Sequence, residues 1–468
     1  MNILVISSNA TPDGSGDAIC RLAGALPKAL AAQDHAVSLV TPRYAGFDPN
    51  AHGMARRLST LDVTRAGQSY SLVVYDGRTA AGVERIVLEE PSLFGEVESM
   101  TDEGDVALRM GVFAAAVEQL VATRDPRIEV AHGVGEVGAL TLATLAASSE
   151  VADVARVLSF SGIRTRSTFD SADAAKLGAL EGLEFDGKLD PLAAGLRCAG
   201  RASTLSVTYA RELAAGAAEN LGPLLEAIPG GLRGVLGGVD AASLNPVTDP
   251  HLPSRYDPVD LSGKARTKAE VQRRLELPVR PETPLLVAFG LDAEDGLELL
   301  EGAVRALLRN DIQLVVRGAE GDDRVASLKE AARPWPDRMK VIEGEDEATD
   351  HQLLAAADLL LAPHGRAPAG LLPMIAQRYG TLPVARATGA IRDFVIDCDA
   401  QLETGTGFLF DEDSSDALLG ATQRAVSAFM HADFDDLRRR VMRLDHSWER
   451  TGRVYTLLYR ELTDPEGE

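Results

Sequence analysis

The stretch ILVISSNATPDGSGDAICRLAGALPKALAAQDHAVSLVTPRY, residues 3–44, sets a helical pattern between two short apolar runs. Residues 3–7 and 37–41 have the length and composition of buried strands, and residues 19–32 read as a helix. Strand, helix, strand within so little chain is one β-α-β unit, which lays its strands parallel with the helix crossing over. The alternation continues outward: strands are predicted at 71–75, 85–88, 129–132, 154–160 and 202–206. A helix is predicted at 106–123, and the amphipathic stretch 187–199 leads into the strand at 202. Alternation of this kind predicts a parallel sheet covered on both faces.

At residues 245–258, NPVTDPHLPSRYDP, four prolines interrupt the apolar periodicity, and the segment reads as a linker or hinge. A second alternating series follows, with strands predicted at 285–289, 313–316, 339–342, 359–362 and 382–384. Helices fall between them at 297–308 and 350–357. Two α/β halves joined by a hinge are therefore expected: residues 1–245, a hinge at 246–258, residues 259–445, and a last helix with a frayed tail over 446–468. A length of 468 residues suits two or three domains.

The formal charge of −23 argues against a nucleic-acid partner, whose phosphates call for basic patches, and against anionic membranes. No run approaches the roughly 20 apolar residues a membrane span requires. The first strand follows Met1 with no basic n-region, so a secretory signal is not expected. Cys20, Cys198 and Cys398 are scattered and form no disulfide framework, which fits a reducing cytoplasm.

Few local signatures of chemistry stand out. Asp105 and Arg109 lie four apart in a helical stretch, and the plain reading is an exposed ion pair. Lys264 and Lys268, equally spaced, read as a solvated helix face. His132 ends a buried strand as a core or loop histidine. His351 and His364 have no metal-ligand spacing to each other or to a cysteine, and no metal or cofactor is expected. Asp13-Gly14-Ser15-Gly16 reads as a capping turn, since Ile19 stands where a dinucleotide loop needs its third glycine.

Motifs along nearly the whole chain resemble bacterial glycogen and starch synthases, GT-B glycosyltransferases. They include the opening β-α-β segment, TYARE at 208–212 and VTDPHLPSRYDPVDLSGKARTKAEVQRRLELP at 247–278. RYGTLPV at 378–384, TGTGFLF at 404–410 and SWERTGRVYTLLYR at 447–460 complete the set in family order. The resemblance implies two Rossmann-like parallel-sheet domains facing an interdomain cleft, with the last helix packing back toward the first domain. It implies transfer of glucose from ADP-glucose, or UDP-glucose, to the non-reducing end of an α-1,4-glucan with retained configuration.

The family's chemical positions are altered. Its lysine-threonine-glycine-glycine run reads Ser15-Gly16-Asp17-Ala18, and the arginine and lysine after the first strand of the second half fall at Gly290 and Asp295. The glutamate-proline-cysteine-glycine motif reads Ala367-Pro368-Ala369-Gly370, and His132-Gly133-Val134-Gly135-Glu136 keeps only a first histidine. The threonine-isoleucine-histidine-asparagine run reads Ser159-Phe160-Ser161-Gly162. Survivors are Asp105 and Arg109 of one family run and Thr388-Gly389 of a phosphate-side loop, with Arg366 and Arg386 as substitute cations. By this reading Asp105 and His132 are the candidate catalytic positions. Ser15, Gly16, Gly290, Asp295, Arg366, Ala367, Gly370, Arg386, Thr388 and Gly389 form the nucleotide-sugar site.

Cations on the departing diphosphate stabilise charge that develops there, and losing one such group costs about 10²–10³ in rate. Loss at several positions tips the reading toward a non-catalytic relative that binds α-glucan or a partner enzyme of glycogen metabolism. The alternative is a working synthase with a rebuilt pocket. Arginine at position 290 with lysine at 295 is expected to improve ADP-glucose binding, and Ser15, Gly290, Asp295 and Ala367 are expected to share the cleft.

Overall fold

The computed structural model describes residues 1–10, 18–163, 166–290, 296–344, 346–364 and 369–464. By internal contacts the chain forms two units, one of Met1–Gly237 with Trp448–Glu468, the other Gly238–Ser447.

Strands of the first unit are β1 (Asn2–Ile6), β2 (Ala36–Pro42), β3 (Ala55–Arg65), β4 (Gln68–Arg78), β5 (Glu84–Glu89), β6 (Val130–Val134) and β7 (Ala155–Ser159). A small hairpin, β8 (Glu184–Phe185) with β9 (Lys188–Leu189), precedes β10 (Arg201–Thr204) and β11 (Leu232–Gly234). Nine of these build one sheet in the order β11-β10-β7-β6-β1-β2-β5-β4-β3. The central strands are parallel, as the β-α-β pattern predicts. The far edge differs: β4 runs antiparallel to both β3 and β5. The reason lies in the two-residue turn Ala66-Gly67, where φ of 50° and 75° gives the doubly left-handed hairpin connection that matches strand twist. A tight turn cannot join parallel strands.

Two further elements departed from expectation. Helix Gly135–Ala147 is buried from Val137 through Leu145, so it carries no one-sided apolar stripe for sequence reading to detect. The stretch 187–199 resolves into β9 and a shorter helix, Pro191–Cys198, whose first turn is capped by the Asp190 carboxylate accepting from Ala193 N at 3.0 Å.

The second unit has an all-parallel sheet, ordered β14-β13-β12-β15-β16-β17. Its members are β12 (Leu285–Gly290), β13 (Gln313–Gly318), β14 (Met339–Glu343), β15 (Leu359–Ala362), β16 (Leu382–Arg386) and β17 (Phe408–Phe410). Strands β12 and β13 are buried at every position, the pattern of a sheet covered on both faces. Strand order reverses between β12 and β15, the switch point beside which open α/β sheets bind ligands at their carboxyl ends.

The proline-rich segment is not a free linker. The unit boundary precedes it, at Gly237/Gly238, and residues 245–258 pack into the second unit. Asp249 and Tyr256 are buried, and the Tyr256 hydroxyl donates to Tyr379 O at 2.9 Å. Proline content signalled irregular backbone here, whereas burial of Pro246, Asp249, Leu252 and Tyr256 fixes it in place.

Lys264 and Lys268 are likewise buried, correcting the solvated-face reading. The Lys264 ammonium donates to Ala355 O at 2.9 Å, Tyr379 O at 3.0 Å and Thr381 Oγ1 at 2.9 Å, one acceptor for each proton. Burial pushes its pKa well below the ordinary lysine value. Lys268 Nζ sits 2.7 Å from Asp358 Oδ2, Arg438 binds the other carboxylate oxygen, and Leu285 N donates to Oδ2 at 2.7 Å. Burial pushes the Asp358 carboxyl upward, but Arg438 and Lys268 outweigh it and hold the group below the usual aspartate range. Without Lys268, Asp358 keeps Arg438, but the Pro281 and Thr283 carbonyls lose their charged donor. Lys268→Ala should therefore destabilise the protein by about 1–3 kcal/mol in denaturant melts, more than loss of a solvated lysine would.

The closing helix Trp448–Thr463 belongs to the first unit, where it packs against helix Ala18–Ala31 and β7. Its tyrosines meet a polar cluster on three parallel strands. His132 of β6 holds the Tyr459 hydroxyl at 2.7 Å through Nδ1 and Ser159 Oγ of β7 at 2.7 Å through Nε2. Ser159 Oγ and Ser203 Oγ of β10 are 2.6 Å apart, and each lies 3.0 Å from the Tyr455 hydroxyl. His132 is fully buried, and burial pushes its pKa down to about 3. The unfolded chain takes up this proton near pH 6.5 and the folded chain does not. The neutral ring's contribution is thus complete above pH 6.5 and is lost as pH falls toward 3. Urea melts between pH 6 and 4 should show about 1.4 kcal/mol per pH unit of proton-linked destabilisation that His132→Gln removes.

Candidate nucleotide-sugar site

The carboxyl ends of β12, β15 and β16 carry the described part of the expected nucleotide-sugar positions. Gly290 is the last residue of β12 and pairs with Gly318, the last of β13. A Cβ there would lie 2.2 Å from Leu297 Cδ1 and 2.5 Å from Leu297 Cγ, so a side chain at 290 requires the Leu297 side chain to shift. Leu297 opens the next helix and is itself core. The position expected to match the family's arginine thus lacks its charge and packs against an apolar side chain, so arginine there would have to displace Leu297.

Gly370 caps helix Leu371–Arg378 in the left-handed region, at φ of 58°. A Cβ there would lie 2.9 Å from Phe394 Cε1 and 3.3 Å from Ala390 Cβ, so the loop after β16 packs directly on it. Arg386, Thr388 and Gly389 belong to the end of β16 and that loop. The structure thus brings Gly370 beside the loop that carries Thr388 and Gly389, on adjacent strands. Arg386 Nη1 lies 3.0 Å from Asp413 Oδ2, so its charge is met by a carboxylate. The Thr388 hydroxyl is buried, with no hydrogen-bond partner among the described residues. An unpaired buried hydroxyl costs roughly 1–3 kcal/mol, which makes it a natural ligand contact. Ser15, Gly16, Asp295, Arg366 and Ala367 lie outside the described residues, as does the Asp13–Gly16 turn.

One cation was missed in the sequence. Arg317, penultimate in β13, is 1% exposed and pairs with Asp350 Oδ1 at 2.8 Å, while its Nη2 has no partner among the described residues. Burial raises the Asp350 carboxyl despite the arginine beside it. The available signal was an arginine inside the apolar run LVVRG, where an unpaired charge is costly.

Asp105 and Arg109, in the first unit, do not form the expected ion pair. Asp105 caps helix Val106–Ala122, accepting from Leu108 N at 3.1 Å, and pairs with Lys176 Nζ at 2.8 Å. Arg109 is buried and turns back to donate to Asp102 O and to Glu103 O, the latter at 3.1 Å. Capping explains the difference: an aspartate at the N-cap points at its own helix's amides, away from the side chain four residues on. Arg109 Nη1 and the Tyr44 hydroxyl are both buried without hydrogen-bond partners among the described residues. His132, the other candidate catalytic residue, sits in the fully buried cluster with Tyr459 and Ser159. Glu136, in the same altered run, is partly buried and accepts from Ser167 N at 2.9 Å, and desolvation raises its pKa.

With this geometry in place, known proteins supply the context. The starch synthase catalytic domain family matches residues 2–227, and the glycosyl transferases group 1 family matches residues 276–432. The glycogen synthase of Anaeromyxobacter sp. (strain Fw109-5) is 37% identical over 99% of this chain and 100% of its own length. The chain belongs to the glycogen synthase family. The glycogen synthase of Thioalkalivibrio sulfidiphilus (strain HL-EbGR7) is 33% identical over 99% of this chain and 100% of its own. Among solved structures, the catalytic domain of Starch Synthase IV from Arabidopsis thaliana, bound to ADP and acarbose, superposes with a TM-score of 0.86. It is 22% identical and covers 98% of this chain and 99% of its own. Sucrose-phosphate synthase from Thermosynechococcus elongatus gives a TM-score of 0.63 at 17% identity, over 99% and 100% of the two chains. These likenesses establish the GT-B fold. No described helix is long and apolar enough to cross a membrane.

Closure of the Gly290 position has a measurable consequence. Gly290→Arg should lower stability by at least about 2 kcal/mol through overpacking and leave ADP-glucose binding unimproved. Gly290→Arg combined with Leu297→Ala makes room, and calorimetric titration should show binding gained only in that pair.

Proposed function

We propose that this glycogen synthase-family protein acts in α-1,4-glucan metabolism without extending glucan itself, as a homologue that binds glucan or a partner enzyme. The observation that supports the reading is the end of β12, where the family's arginine position is Gly290 and a Cβ would meet Leu297 Cδ1 at 2.2 Å. Asp295 and Ala367 replace a lysine and a glutamate of the family motifs, and Arg386 is committed to Asp413. Each missing charge stabiliser costs about 10²–10³ in rate, and such losses compound when the groups act on one developing charge. ADP-glucose, the family's donor, should bind no more tightly than about 1 mM, where the binding free energy is only about −4 kcal/mol.

The acceptor side keeps more. Arg109 Nη1 and the Tyr44 hydroxyl are buried polar groups without partners, suited to sugar hydroxyls. A glucan-binding role in the cytoplasm is consistent with these features and with the family. One observation favours the alternative of a working synthase with a rebuilt site: the unpartnered Thr388 hydroxyl in the retained loop after β16.

Transfer of radiolabelled glucose from ADP-glucose or UDP-glucose to glycogen separates the two. No incorporation above background is expected, together with retardation of the protein in glycogen-containing native gels. Incorporation that disappears in Asp105→Ala or Arg366→Ala would establish an active synthase instead.

A further inference from the structure

Away from the nucleotide-sugar positions, the second unit gathers three metal-ligating side chains whose sequence positions are far apart. Asp249, His251 and His351 each offer a ligand atom, and these atoms all lie within 4.8 Å of one another. Asp249 and His251 come from the proline-rich segment, and His351 from helix Glu347–Ala356. Linear spacing from His351 to other histidines and cysteines could not reveal this grouping, because two of the three ligands come from a segment without regular structure.

The cluster is held in place from several sides. His351 Nδ1 lies 2.8 Å from Asp249 Oδ2, and the Tyr379 hydroxyl donates to the same oxygen. His251 N donates to Asp249 Oδ1 at 2.8 Å, while Gln352 Nε2 donates to His251 O at 2.7 Å. The His251 and His351 rings meet edge to face with centroids 4.9 Å apart. Asp249 and His351 are buried and His251 is partly exposed, which leaves an approach from solvent. Glu347, one helical turn before His351, places Oε1 3.9 Å from His351 Nε2.

We propose that Asp249, His251 and His351 bind one divalent transition-metal ion of the zinc type. Two imidazoles and a carboxylate form a mixed nitrogen and oxygen set suited to zinc, and three protein ligands leave a fourth tetrahedral position for water. The metal takes Asp249, a ring nitrogen of His251 and Nδ1 of His351. The proton now on Nδ1 of His351, between it and Asp249, is released to solvent, and Nε2 takes one up. Nε2–H then faces Glu347, the carboxylate partner that commonly orients a metal-bound histidine. The ion would clip the proline-rich segment to helix Glu347–Ala356, stabilising the folded state by mass action.

The test uses full-length protein stripped with EDTA and exchanged into chelator-free buffer. Titration with ZnCl₂ by calorimetry should reach saturation at one equivalent, and CoCl₂ should give the intense visible absorption of a tetrahedral site. His251→Ala removes a partly exposed ring, so its metal-free melting temperature should match that of the unmodified protein. Its zinc affinity should fall at least about tenfold, and its cobalt spectrum should lose the tetrahedral band. Glu347→Gln should weaken zinc by about 10- to 100-fold with the band retained. Absence of stoichiometric uptake by the unmodified protein, or equal affinity and spectrum in His251→Ala, would overturn the assignment.

Discussion

A parallel sheet has no face it can leave to water, and every strand must be roofed on both sides by helices. In the first unit this need reaches the last residues of the chain, since β6, β7 and β10 are covered on one side by helix Trp448–Thr463. Those strands present His132, Ser159 and Ser203, which bond one another and are completed by tyrosine hydroxyls from the helix. Tyr455 and Tyr459 supply them from successive turns of one helix. Burial at this depth keeps the histidine neutral and makes it a fastening, which is a poor setting for a catalyst that must exchange protons with substrate.

The second unit relies on buried charge in an analogous way. Lys268, Asp358 and Arg438 satisfy one another where the amino end of β12 meets β15, and Lys264 spends its protons on two carbonyls and a hydroxyl. Such groups contribute little net stability against a well-packed apolar replacement, but breaking them singly is expensive. They fix how helix Ser262–Arg274 lies on the sheet. Those strand positions in turn fix where the carboxyl ends of β12, β15 and β16 stand.

At those carboxyl ends the protein departs from its family in a specific manner. At Gly290 a Cβ would meet the Leu297 side chain, and the arginine at the end of β16 has an acidic partner. Buried, unpartnered groups survive at Thr388, Arg109 and Tyr44.

By itself the sequence determined the α/β class, the alternation of strand and helix, and the family, because apolar periodicity and motif order are local properties of the chain. Strand Leu359–Ala362 and helix Val106–Ala122 were legible almost to the residue. Helix Gly135–Ala147 was not, since burial on all sides erases the amphipathic signal. The altered chemistry at positions 15, 290, 295 and 367 was also visible as residue identity. Tertiary structure alone decided what the charged residues do: Lys264 and Lys268 turned inward, Asp105 became a helix cap, and Arg109 folded back on its own loop. It alone brought His351 to Asp249 and His251, and closed Gly290 with Leu297. The physical reason is the same throughout. Periodicity reports which face of an element is apolar, whereas the partner of a charge or the filler of a void comes from another part of the chain.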